Sequence, residues 1–165
     1  RNLLKQEFRI KKSHQINVRN FLKIDNKKPL IVLHVRRTDY LIYGDESMGG
    51  KDLSLPLIYY NSCLQKIEKV ENYNIVFVTD DISYVSKNFI HLNPIILSNK
   101  NPIIDFQVLM EADILIVANS SFSWWAAYLN AKCLKIYAPK YWLGFRIKKE
   151  YPNSIIPAHW ESVEF

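Results

Sequence analysis

The sequence predicts an α/β fold, a Rossmann-like, mostly parallel sheet with flanking helices. Three observations carry that expectation. Short apolar runs rich in β-branched residues recur along the chain, and stretches with helical spacing separate them. The runs are also continuously apolar and do not alternate with polar residues, as in strands covered on both faces. With 165 residues, 48% of them hydrophobic, the chain is large enough to bury one ordinary domain core.

Five strands are expected, at Leu30–Val35, Asn74–Thr79 and residues 94–97, 113–118 and 133–137. Between the first two, Leu57, Tyr60, Leu64 and Ile67 follow the spacing of one helical face, with Ser54 a candidate N-cap. Further helices are expected at Ile82–Phe89 and at residues 103–112 and 121–130, and the stretch up to Leu22 reads as irregularly helical, in one or two pieces. Residues 1–28 are read as a helical remnant or linker and residues 29–165 as the Rossmann-like domain. Strand and helix in alternation imply parallel pairing and right-handed crossovers. Ligands then sit beyond the carboxyl ends of the strands.

Composition narrows the chemistry. A net charge of +6 and a pI of about 9.2 suit an anionic partner, or simply a lysine-rich solvated surface. Four glycines form neither GxGxxG nor GxxxxGK[ST], so any phosphate must be held by side chains and helix ends. Cys63 and Cys133 offer no CxxC and no Cys/His metal spacing, which points to a reducing compartment and no structural zinc. No run approaches the roughly 18 apolar residues of a membrane span, and no signal peptide is evident. The basic residues are scattered and the tryptophans sit at helix-packing spacing, which argues against a nucleic-acid partner. The chain starts at Arg1, so it is expected to be part of a longer protein.

Candidate site residues follow the strands. His34-Val35-Arg36-Arg37-Thr38-Asp39 leaves the first. Guanidinium groups fork onto phosphate oxygens, and in an extended chain Arg36 and Arg37 point to opposite sides, so one faces a ligand and the other pairs with Asp39 or Asp80. A surface ion pair is the plainer reading of both. Asp80-Asp81 follows the second strand as an adjacent pair, not a spaced DxD, and Asp81 is either an N-cap or a site residue. After the fourth strand, Ser120 and Ser121 open a helix whose free N–H groups make an anion site, a cap, or both. Trp124 and Trp125 are read as packing that helix on the sheet. Asp105, early in its helix, either complements the helix dipole or accepts from the N1–H and 2-amino group of guanine.

Together HVRRTDY, VFVTDD and ANSSFSWWAAYLN resemble the three-motif signature of glycosyltransferase family 11, the α-1,2-fucosyltransferases. Related motifs occur in α-1,6- and protein O-fucosyltransferases. APKYW (138–142) and IPAHW (156–160) are also like that family's C-terminus. The resemblance implies the C-terminal, donor-binding half of a GT-B enzyme, with most of the acceptor-facing half absent because only thirty-three residues precede His34. It implies inverting transfer of L-fucose from GDP-β-L-fucose to a galactose-type hydroxyl of a glycan, without a metal or other cofactor. By the same resemblance Arg36 holds the β-phosphate, His34 and Asp105 contact guanine, and Ser120 and Ser121 lie by the diphosphate. Arg37, Asp39, Asp80 and Asp81 shape the site, and Asp45 or Glu46 is the nearest candidate for the base. The expected location is cytoplasmic, with peripheral association to the inner face of a bacterial membrane. A guanine-nucleotide-binding module without catalysis is the alternative of a different class.

Overall fold

The computed structural model describes residue 4 and residues 7–98 and 101–165. The part of the N-terminal helical expectation that falls on residues 1–3, 5 and 6 lies outside the described residues. Six parallel strands form one sheet in the order β3-β2-β1-β4-β5-β6: β1 Leu30–Val35, β2 Asn74–Thr79, β3 Ile95–Ser98, β4 Ile114–Ile116, β5 Lys135–Pro139 and β6 Glu161–Val163. The first two strands fall on the expected residues. The next three are displaced by one or two positions at their ends. The sixth was not anticipated, because Glu-Ser-Val is too short and too polar to read as a strand. It forms because an edge position beside β5 asks for only one buried side chain, that of Val163.

Helices cover both faces. We number them α1 Val18–Leu22, α2 Leu57–Leu64, α3 Ile82–Phe89, α4 Pro102–Glu111 and α5 Ser121–Leu129. All six residues of β1 are buried, so its side chains feed two cores by parity. Leu30 and Val32 join Val76, Val78, Leu115 and Val117 against α1, α4 and α5. Ile31, Leu33 and Val35 join Phe77, Ile116, Tyr59, Tyr60, Val85 and Phe89 against α2 and α3.

Three local expectations are corrected. Ser54 does not cap α2: Pro56 holds that position and the Ser54 hydroxyl donates to Asp52 at 2.6 Å. The helix stops at Leu64, so Ile67 lies beyond it, and the buried face is Tyr59, Tyr60 and Cys63. Of the two tryptophans only Trp124 packs against the core of the sheet. Trp124 stacks on Tyr128 and donates its indole N–H to the Ile155 carbonyl at 2.7 Å, while Trp125 is 37% exposed and stacks on Phe8.

Within the stretch read as a remnant or linker, residues 14–22 are packed on the domain. Val18 and Leu22 are buried in the core, Gln107 accepts from the Ile16 amide and donates to the His14 carbonyl, and Arg19 pairs with Asp113 at 2.9 Å. These contacts make residues 14–22 part of the folded unit. The short helix survives because it is capped at both ends: Asn17 accepts from the Asn20 amide, and Lys23 takes the left-handed conformation with φ 53°.

Candidate donor-binding site

The strand order reverses between β1 and β4, and the two connections leave that point in opposite directions. The gap at the carboxyl ends of these strands is where α/β sheets hold ligands. A cavity of about 590 Å³ lies there, lined by His34, Arg36, Asp39, Tyr40, Tyr43, Pro102, Ser120, Ser121 and Phe122. Strand parity selects among the residues of the β1 exit. His34 and Arg36 continue the side on which α4 and α5 pack and reach the cavity. Arg37 continues the other side.

Arg36 is aligned by carboxylates. Its Nε and Nη2 form a fork onto Asp39 at 2.8 and 2.9 Å, and Asp80 stands 3.4 Å from Nε. That leaves Nη1 uncommitted among the described residues. The hydrogen bond to Asp39 raises the guanidinium pKa and holds the Asp39 carboxyl below the usual carboxylate range. Asp80, whose side chain is 5% exposed, accepts from the amides of Arg37 and Thr38 at 2.8 and 3.1 Å and from the Thr38 hydroxyl at 2.6 Å. Asp80 therefore shapes the turn that carries Arg36 and does not line the cavity.

Arg37 and Asp81 form a separate clamp outside the cavity wall. Arg37 lies over the Tyr84 ring at 3.9 Å, donates to Asp81 at 3.3 Å and reaches Ser54 at 3.4 Å. Asp81 is the N-cap of α3, accepting from the Tyr84 amide at 2.9 Å. Asp45 and Glu46 also lie outside the cavity. Asp45 accepts from the Ser47 amide at 2.8 Å and from its hydroxyl, closing a short exposed turn, and Glu46 begins that turn.

The helix starts around the site differ. Asp81 caps α3 and Asn101 caps α4 with their side chains. Ser120 sits at the N-cap of α5 without a side-chain bond to the first-turn amides. The positive end of α5 is thus open at the cavity wall, where an anion is stabilised by the free N–H groups and the helix dipole. Tyr40 braces this wall, donating to the Asn119 carbonyl at 3.1 Å and stacking on Tyr43 at 5.2 Å.

Two buried polar groups remain, and of them only His34 lines the cavity. His34 is 5% exposed and its Nδ1 has no partner among the described residues. Burial drives its pKa down to about 4, with Asp80 opposing and Arg36 assisting, so the ring is neutral at pH 7. Asp105 follows the cavity-lining Pro102 by three residues on α4. It is 4% exposed, Oδ2 is unpartnered, and burial raises its pKa. Phe122 bridges the two regions, 5.8 Å from the His34 ring and 5.4 Å from Phe106.

The model of glycosyl transferase family 11 matches residues 2–162. The chain belongs to glycosyl transferase family 11. A relative, the O-antigen biosynthesis glycosyltransferase WbnK of Escherichia coli, is 31% identical over 118 residues, 68% of this chain and 38% of the relative. The family 11 chain therefore spans little more than a third of that relative's length. Among solved structures, the glycosyl transferase family 9 protein from Veillonella parvula DSM 2008 aligns with 81% of this chain and 36% of its own, at 13% identity and a TM-score of 0.43.

Sequence reasoning passed over Tyr40, Tyr43, Pro102 and Phe122 in this family 11 site. Tyr40 and Phe122 stand inside the motifs HVRRTDY and ANSSFSWWAAYLN, so their places were visible although their roles were not. Pro102, at the first position of α4, carried the usual signal of a helix start.

Proposed function

We propose that this chain is the donor-binding half of an inverting α-1,2-fucosyltransferase of GT-B architecture, holding GDP-β-L-fucose for transfer of L-fucose to a galactose-type hydroxyl of a glycan. One observation supports the reading above the others: Arg36, with an uncommitted Nη1, and the open N-terminus of α5 line a single cavity. Together they suit a pyrophosphate. The unpartnered Asp105 carboxylate suits the adjacent N1–H and 2-amino donors of guanine, whose approach offsets its burial. Neutral His34 and the Phe122 ring suit the neighbouring base and ribose surfaces.

In the proposed reaction the acceptor hydroxyl attacks the anomeric carbon from the face opposite the diphosphate. The β-linked donor then gives an α-linked product. Negative charge grows on the departing pyrophosphate, and Arg36 and the α5 amides stabilise it in place, without a divalent ion. Fixed donors of this kind contribute roughly 2.7–4 kcal/mol each. Neither Asp45 nor Glu46 lines the cavity, Asp45 is bonded to Ser47, and Asp39 is a weak base while paired with Arg36. We therefore assign this chain donor binding and leaving-group stabilisation, not deprotonation of the acceptor. The same observation favours a second reading, in which the chain alone binds a guanine nucleotide without turnover.

Calorimetric titration with GDP, GDP-fucose, UDP and ADP, with and without magnesium, tests the proposal. The expected result is selective, metal-independent binding of GDP and GDP-fucose. A preference for UDP, or binding only with magnesium, sinks it.

A further inference from the structure

A second cavity, of about 400 Å³, lies at the carboxyl end of β5, on the same rim of the sheet as the first. Its walls come mostly from the two stretches APKYW and IPAHW, which the donor site does not use, with Glu150 and Ser162 from outside them. Lys140, Tyr141, Glu150, Pro157, Trp160 and Ser162 supply the groups that matter. We propose that this cavity is a saccharide subsite that holds a neutral sugar of the acceptor glycan, an assignment that rests on the glycosyl-transfer reading above.

The chemistry of the wall sets the ligand class. One cation, one carboxylate, a phenol and a serine hydroxyl face the cavity beside aromatic and apolar surface. Such a mixture offers donors and acceptors with no net charge. It suits a ring that is polar at its edge and apolar on its C–H faces, and it disfavours a phosphate, which would meet Glu150. Lys140 is further neutralised by Glu164 at 2.6 Å and lies 5.0 Å from the centre of the Tyr141 ring. The contrast with the donor cavity, where Arg36 and a helix N-terminus converge, is one of ligand charge.

The backbone around the cavity is strained and held rigid. Tyr141 and Trp142 are consecutive residues at φ 68° and 54°, a left-handed region that side chains other than glycine and asparagine rarely occupy. Bonds from the Leu143 amide to the Tyr151 carbonyl (3.1 Å) and from the Tyr151 amide to the Tyr141 carbonyl (3.3 Å) hold them there. At Gly144 an added Cβ would lie 1.8 Å from the Lys149 carbonyl oxygen. On the opposite wall the buried indole N–H of Trp160 has no acceptor among the described residues. Two unfavourable features on one cavity fit a site kept for a ligand.

The subsite is coupled in space to the donor cavity through α5. Trp124, one helical turn beyond Ser120 and Ser121, donates to the Ile155 carbonyl and lies 5.8 Å from the Trp160 ring. The cavity thus stands beside the helix whose N-terminus faces the pyrophosphate position, as a sugar further along an acceptor chain requires.

Saturation-transfer NMR with methyl β-D-galactopyranoside and lactose tests the subsite, with a GDP titration on the same samples. The unaltered chain should transfer saturation to the sugars. Tyr141→Gly, which suits the left-handed backbone, and Glu150→Gln should each lose that transfer while keeping the fold and the GDP isotherm. Absence of transfer in the unaltered chain, or equal transfer in both variants, overturns the proposal. Sugar binding that persists where GDP binding fails supports the subsite and sinks the donor reading alone.

Discussion

Arg36 opens onto the cavity with Nη1 uncommitted, whereas Arg37, one residue on, lies over the Tyr84 ring and is tied to Asp81 and Ser54. The two guanidinium groups are chemically identical, and both follow a strand that is buried along its whole length. The two-residue period of that strand separates them. Even positions turn towards α4 and α5, where the helix start is open, and odd positions turn towards α2 and α3, where Asp81 already caps its helix. A doubled arginine therefore serves two purposes at one strand exit. One is available to a ligand, and the other fixes the loop that aims it.

That contrast is broken most severely at Arg36. Arg36→Ala is expected to lower turnover of the complete enzyme about 10²–10³-fold, the usual loss for one fixed donor to a developing anion, and to weaken GDP binding with little change in the melting temperature. Calorimetry beside a fucose-transfer assay measures both. Next in size is the pH response of the buried imidazole. The pKa of His34 falls from the ordinary 6.5 to about 4 in the folded chain, so between those values the unfolded chain binds the additional proton. Stability is thus complete above pH 6.5 and declines by about 3 kcal/mol as the pH falls to 4. Urea unfolding at pH 7 and pH 4.5 should show the loss, and His34→Gln should flatten it.

Smaller effects sharpen the comparison. Arg37→Ala should cost about 1–2 kcal/mol of stability through the lost Tyr84 and Asp81 contacts, with GDP affinity unchanged. A fall in GDP affinity equal to that of Arg36→Ala would show that strand parity does not sort the pair. Asp105→Asn should raise the melting temperature at pH 7 while weakening GDP binding. Its raised pKa means that the folded chain loses stability as pH rises through that value, and the amide removes the buried charge. Least affected should be Asp45→Asn with Glu46→Gln, which alter an exposed turn and leave the GDP isotherm as it was.

Much of the site was legible before the fold. The serine-led start of α5, the arginine pair after β1 and the carboxylate in the first turns of α4 were each visible as residue types in fixed relation to a strand or helix end. Tyr40 and Phe122 were less so, because an aromatic residue inside a motif packs or lines a cavity equally well until its neighbours are known. Asp45 and Glu46 carry no such mark: neither lines the cavity, and Asp45 is engaged in closing a short exposed turn.

By itself the sequence determined the parallel α/β class, the positions of β1 and β2 and the motifs of the family, because continuous β-branched runs and cap residues are local properties of the chain. Only the tertiary structure decided which arginine meets the cavity, which helix start is left uncapped, and that Glu161–Val163 completes the sheet. Those outcomes depend on what each face packs against, and a side chain's partners across a sheet come from segments tens of residues away.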